Sequence, residues 1–176
     1  MTAYRRTKIQ SATYFFTVNC AERRNNQLLT DHIDLLRQVF RSVQEKYPFI
    51  IDAIVIPPDH LHCIWTLPPD DSNYQTRWTL IKAGFSRAIP NNERRSASRI
   101  KRGERGLWQR RYWEHLIRDE RDFEQHVDYI HWNPVKHGWV RKVREWPWSS
   151  FHRYVRKGIY PVDWTCNVEL DMSGGE

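Results

Sequence analysis

Between Phe49 and Leu67 two apolar runs flank Pro57-Pro58-Asp59, and this stretch restricts the fold more than any other. Phe49 to Ile56 is interrupted only by Asp52 and is short enough for a buried strand, after which the Pro-Pro-Asp segment turns the chain. From His60 to Leu67 the residues alternate. His60, His62, Ile64 and Thr66 fall on one face, and Leu61, Cys63, Trp65 and Leu67 on the other. The second set is apolar and is expected to face the core, so the histidines look outward or into a cleft. Two side chains of one strand face stand roughly 6.5–7 Å apart along the backbone, close enough for both imidazoles to reach one cation. Taken alone, such a pair more often forms a polar outer face than a metal site, because a site needs three or four converging ligands.

The flanking segments supply the rest of a sheet. Tyr14-Phe15-Phe16-Thr17-Val18 is aromatic and β-branched and reads as a first strand behind a basic arm with Arg5, Arg6 and Lys8. Thr30 is placed to cap a helix whose apolar positions Leu36, Val39, Phe40, Val43 and Tyr47 keep helical spacing until Pro48. Trp78, Ile81, Phe85 and Ile89 repeat likewise up to Pro90, with Arg77, Lys82 and Arg87 on the expected exposed face. Tyr112 to Arg118 alternates as a fourth strand. Asp119, with Asp122 three residues on, starts a third helix that Asn133-Pro134 is expected to end. The order strand, helix, strand, strand, helix, strand, helix predicts an α+β fold. It is a single ferredoxin-like (split βαβ) domain over residues 1–165, with a four-stranded antiparallel sheet and helices on one face. Residues 166–176 read as a flexible tail.

Charge narrows the partners. The chain carries 28 Lys plus Arg against 21 Asp plus Glu, and most of the cations are arginine, which suits bidentate phosphate recognition. From Glu93 to Arg111 eight cations meet two anions, so the basic character is largely one local feature. This stretch reads as a long mobile basic loop near 90–106 that meets phosphate. Nine tryptophans offer core or base-stacking rings. Three scattered cysteines suggest reduced thiols, and no apolar run approaches a membrane span, so a cytoplasmic, nucleoid-associated protein is expected. The sequence contains no Gly-rich phosphate-binding loop.

The third helix has two stripes. Phe123, Val127 and Ile130 form an apolar one that docks on the sheet, and about 100° around lie Asp122, His126, Tyr129 and Asn133. A phenol one turn from a carboxamide, near two imidazoles, offers a nucleophile and a third metal ligand. A tyrosine hydroxyl has a pKa of about 10, so it gains from a nearby divalent cation that also withdraws charge from a phosphate. Two other readings fit the residues: a non-catalytic nucleic-acid binding module on a ferredoxin-like sheet, and a metal-dependent hydrolase using His60, His62 and a water.

Three segments taken together, Pro58-Asp59-His60-Leu61-His62-Cys63-Ile64-Trp65, Trp108-Gln109-Arg110-Arg111-Tyr112-Trp113-Glu114-His115 and Asp128-Tyr129-Ile130-His131-Trp132-Asn133-Pro134-Val135-Lys136-His137-Gly138, resemble the REP-associated tyrosine transposases. That group lies in the HUH single-strand nuclease superfamily. The resemblance implies that His60 and His62 bind metal and that Tyr129 is the nucleophile. Asn133 stands where the third ligand is expected, although many insertion-sequence relatives have glutamine there. It further implies a divalent cofactor, Mg²⁺ or Mn²⁺, and a hairpin or single-stranded DNA substrate of the repetitive extragenic palindrome type. It places the basic arm around Arg5 and Arg6 near the hairpin foot; Lys8, Arg110 and Arg111 are further expected DNA contacts, and the protein is expected to act as a monomer.

Overall fold

The structure is a computed structural model, and it describes residues 9–166. The elements in chain order are β1 (Thr13–Asn19), α1 (Leu28–Asp31), α2 (Ile33–Lys46), β2 (Ile50–Val55), β3 (His60–Thr66), α3 (Tyr74–Ala88), α4 (Ala97–Lys101), β4 (Trp113–Leu116), α5 (Glu120–Lys136) and α6 (Phe151–Arg156). A short 3₁₀ turn, Val143–Glu145, precedes α6. The arm residues Arg5, Arg6 and Lys8 and the tail from 167 onward lie outside the described residues.

The four strands form one antiparallel sheet in the order β2-β3-β1-β4, the arrangement expected of a split βαβ fold. β3 is central, and alternation along it builds two cores. Tyr14, Phe16, Leu61, Cys63 and Trp65 face the crossover helices α2 and α3. Phe15, Ala53, Val55 and Ile64 face α5 on the other side. The expectation of helices on one face therefore holds for α2 and α3 only. Phe15 and Ile64 make the second face too apolar to be left in water, and the Val127–Ile130 stripe of α5 covers it. His60 and His62 are consequently buried beneath a helix instead of looking outward.

On the first face Trp65 stacks on Trp78 with ring centres 4.2 Å apart and meets Phe49 and Phe40 at an angle. Each such pair adds about 0.5–1.5 kcal/mol beyond burial. The α2 stripe Leu36, Phe40 and Val43 completes this core. Thr30 does not cap α2: it lies within α1 and donates to Gln27 O, and the chain breaks at His32 before α2 begins. Arg77 is not exposed either. It is buried, and its guanidinium donates to the carbonyl oxygens of Tyr47, Pro48 and Asn73 and to Asp71.

The basic segment is a folded insert. It contains α4, capped by Ser96, and is pinned by Arg105, which donates to Glu93 and to the carbonyls of Ser86, Ile89 and Pro90. Local bonding of this kind replaces the mobile loop that polarity alone suggests. The three cysteines form no disulfide with one another. Among the described residues no helix is long and apolar enough to cross a membrane.

Candidate active site

Strand β3 and helix α5 assemble the site. Asp119 caps α5 by accepting from Asp122 N, and the helix continues through Pro134 for another turn, past the expected stop. Proline removes only its own N–H bond, and the end is instead set at Gly138, whose φ of 71° suits a left-handed cap. Gly138 N donates to Val135 O and Trp139 N to Pro134 O, the paired bonds of a Schellman ending. That reversal brings His137 and Trp139 back against His60, at ring separations of 5.8 and 5.9 Å.

The two histidines are held in the same way. Register places Thr17 opposite His62 and Asn19 opposite His60. His62 Nδ1 pairs with Thr17 Oγ1 at 2.8 Å, and His60 Nδ1 donates to Asp59 at 2.7 Å. Asp59 in turn accepts from Arg23 at 2.8 Å. Burial opposes ionisation of Asp59, but the bonds from His60 and Arg23 outweigh it and hold its pKa at about 2. For His62, burial above all pushes the pKa well below the usual imidazole range, so the ring is neutral. In the tautomers in which Nδ1 donates to Asp59 and to Thr17 Oγ1, each Nε2 offers a lone pair, and both Nε2 atoms are buried without a partner among the described residues.

Tyr129 and Asn133 approach from α5. The Tyr129 ring lies 5.2 Å from that of His62, nearly edge-on, and the His60 and His62 rings are 4.9 Å apart. Tyr129 is 2% exposed, and Lys136 Nζ stands 5.0 Å from the centre of its ring. Asn133 is 0% exposed, and neither its Oδ1 nor its Nδ2 has a partner. A buried polar atom without a partner costs about 1–3 kcal/mol. His60, His62 and Asn133 each carry that penalty, and two imidazole nitrogens plus an amide oxygen are a donor set that a divalent cation satisfies. The residues present fit a metal.

The remaining polar residues of the α5 stripe have other work. His115 donates to Asp122 at 2.8 Å, His126 Nδ1 donates to Asp122 O at 2.7 Å, and Arg118 N donates to the same carboxylate. His115, Asp122 and His126 have the composition of a metal site. Their ligand atoms lie within 4.8 Å of one another and His126 Nε2 is buried without a partner, but the two rings stack 4.6 Å apart and 14° from parallel, which does not aim two in-plane lone pairs at one cation. The trio ties β4 to α5.

Of the expected DNA contacts within the described residues, Arg110 pairs with Glu104 at 2.7 Å, while Arg111 is exposed and unpaired. Thr17 faces Trp113 on β4, so Arg111 lies at the same end of the sheet as His60. Cys63 points to the opposite core, away from the histidines. Thr17, Asp59, Arg23 and Trp139 were not singled out from sequence. Asp59 precedes His60 directly, but Thr17 becomes visible only once strand register is known.

Residues 9–133 match the family model of IS200-like transposases. Over its full length the chain is 47% identical to a REP-associated tyrosine transposase of Escherichia coli K12, and the alignment covers 98% of that protein. A Haemophilus influenzae protein assigned to the same group is 46% identical over 99% of both chains. A solved REP-associated tyrosine transposase bound to a REP hairpin is similar throughout, with a TM-score of 0.85, 45% identity, and coverage of 100% of this chain and 98% of that one.

Proposed function

The chain belongs to the REP-associated tyrosine transposases of the IS200-like family, and from that membership we propose that it is a metal-dependent single-strand DNA endonuclease and strand transferase. The observation that carries this reading is that His60 Nε2, His62 Nε2 and the Asn133 amide are buried without partners, with the His60 ring against that of His62, His62 against Tyr129, and Asn133 one helical turn from Tyr129. His60, His62 and Asn133 would hold the cation, Mg²⁺ or Mn²⁺. When bound, it supplies Lewis-acid polarisation of a phosphate oxygen.

Tyr129 Oη attacks a phosphodiester. The Oη–P bond forms and the P–O3′ bond breaks, leaving a 5′-phosphotyrosine and a 3′-hydroxyl that gains a proton through solvent in exchange for the one the phenol loses. Lys136 Nζ stands 5.0 Å from the centre of the Tyr129 ring, a cation beside the attacking group. Because one ester replaces another, attack by a 3′-hydroxyl on the phosphotyrosine rejoins DNA without a nucleoside triphosphate. Tyr129 is buried, so the strand reaches it when the exposed rim residues Lys136, His137 and Trp139 move aside. Tyr129 lies against His62 of its own chain, an arrangement that suits a monomer.

The solved relative's hairpin suggests the substrate: a REP-type hairpin with adjoining single strand, contacted by Arg5, Arg6, Lys8, Arg110 and Arg111. Incubating Tyr129→Phe with such a hairpin oligonucleotide tests the reading on a denaturing gel. Loss of both cleavage and the protein-linked band is expected; survival of either would overturn it.

A further inference from the structure

The basic insert folds back over the loop 21–28, and a cleft of about 770 Å³ lies between them. The walls are fixed. Ala21 N donates to Leu107 O at 2.9 Å, and Cys20 bridges to Trp108. Gly106 sits where a Cβ would come within 2.7 Å of Arg94 O, so the insert is tightly closed on itself. Two of its arginines serve this closure: Arg105 binds Glu93 and three carbonyls, and Arg99 donates to Arg105 O and Trp108 O.

Three arginines of the cleft do not, two from the insert and one from the facing loop. Arg24, Arg94 and Arg95 line the cleft, are exposed, and have no ion pair or side-chain hydrogen bond among the described residues. Of the two carboxylates in the lining, Glu93 is held by Arg105 and Glu22 accepts from Arg24 N. The cleft thus presents three guanidinium groups without an ion pair against one carboxylate, Glu22, which accepts from a backbone N–H. Its position is equally specific. Arg23, next to Arg24, binds Asp59, which orients His60, so the cleft begins where the ligand set ends.

We propose that this cleft holds the backbone of a single DNA strand running to Tyr129, with Arg24, Arg94 and Arg95 each on a phosphate. The inference rests on the function proposed above and adds a second contact surface to it. No aromatic side chain lines the cleft, so it reads phosphates and not bases. A narrow concavity between two loops admits one strand, whereas a duplex, whose major groove alone is about 12 Å wide, would rest on its rim.

The test measures DNA binding by anisotropy across a salt series, in a Tyr129→Phe background that keeps the DNA intact. The probes are a blunt hairpin and the same hairpin with an oligothymidine flank. Each single-strand phosphate contact contributes about 0.7 to the slope of log K against log salt. Replacing Arg24, Arg94 and Arg95 together with alanine is therefore expected to lower the slope by about 2 for the flanked hairpin and to leave the blunt one unchanged. A control removing Lys46, Arg156 and Lys157, exposed at the other end of the sheet, alters net charge equally and leaves both slopes unchanged.

An unchanged slope with the flanked probe, an equal loss on the blunt hairpin, a matching loss in the control, or no salt-dependent binding of either probe would each overturn the proposal. Absence of a covalent adduct in the otherwise wild-type protein would remove the catalytic reading without altering the slope comparison, so the two failures are distinguishable.

Discussion

Replacing Asn133 with leucine is expected to make the metal-free protein more stable and to abolish its response to metal. Asn133 is fully buried, and both ends of its amide lack partners. Leucine has the same branching and the same number of side-chain heavy atoms, so it enters that space without a large packing change. Removing a buried, unpaired amide recovers about 1–3 kcal/mol. At about 2–4 °C per kcal/mol for a chain of this size, the melting temperature in EDTA rises by roughly 2–12 °C. The wild type gains in turn from a cation: binding at a hundred times Kd adds about 2.7 kcal/mol, or roughly 5–10 °C. Thermal melts in EDTA and in excess Mn²⁺ read both effects. A variant that melts below the wild type in EDTA, or that keeps the Mn²⁺-dependent rise, would refute the assignment of Asn133 as a ligand whose apo cost is tolerated for function.

Thr17→Val leaves His62 Nδ1 without its partner, and loss of such an outer contact weakens metal affinity by about 10- to 100-fold, measurable as a shift in the Mn²⁺ midpoint of the melting curve. Arg77→Met strands three carbonyl oxygens and Asp71, for a loss on the order of 3 kcal/mol in denaturant unfolding. Glu93 is held at a pKa of about 2, chiefly by its bond from Arg105. A carboxylate whose folded pKa is depressed stabilises fully above its ordinary pKa and loses that contribution as pH falls through the folded one. The insert therefore stays pinned above about pH 4.5 and loosens towards pH 2, seen as faster amide exchange over residues 90–107; Glu93→Gln loosens it at neutral pH.

Much of the sheet was legible because alternation in β3 is strict, and the pairing of Tyr129 with Asn133 followed from helix phase. The second core was harder to see. Phe15 and Ile64 share the histidine face, and their apolarity signalled that something must cover it, but which helix does so depends on chain connection rather than on period. Arg77 shows a different limit, since an arginine beside Trp78 reads as surface until the carbonyls of Tyr47 and Pro48 are brought to it. In the insert, Glu93 and Arg105 are separated by twelve residues, and polarity alone does not reveal that they close a loop. The polar stripe of α5 was read as one unit. The fold divides it, giving Asp122 and His126 to His115 and setting Tyr129 against His62 of β3.

The most direct test of the central claim locates the covalent bond. After reaction of the wild type with a flanked hairpin and divalent metal, trypsin releases Asp122–Lys136, which contains a single tyrosine. The account predicts that mass spectrometry finds the DNA 5′-phosphate on Tyr129 in that peptide. Attachment to any other residue, or cleavage with no protein-linked product, would contradict it.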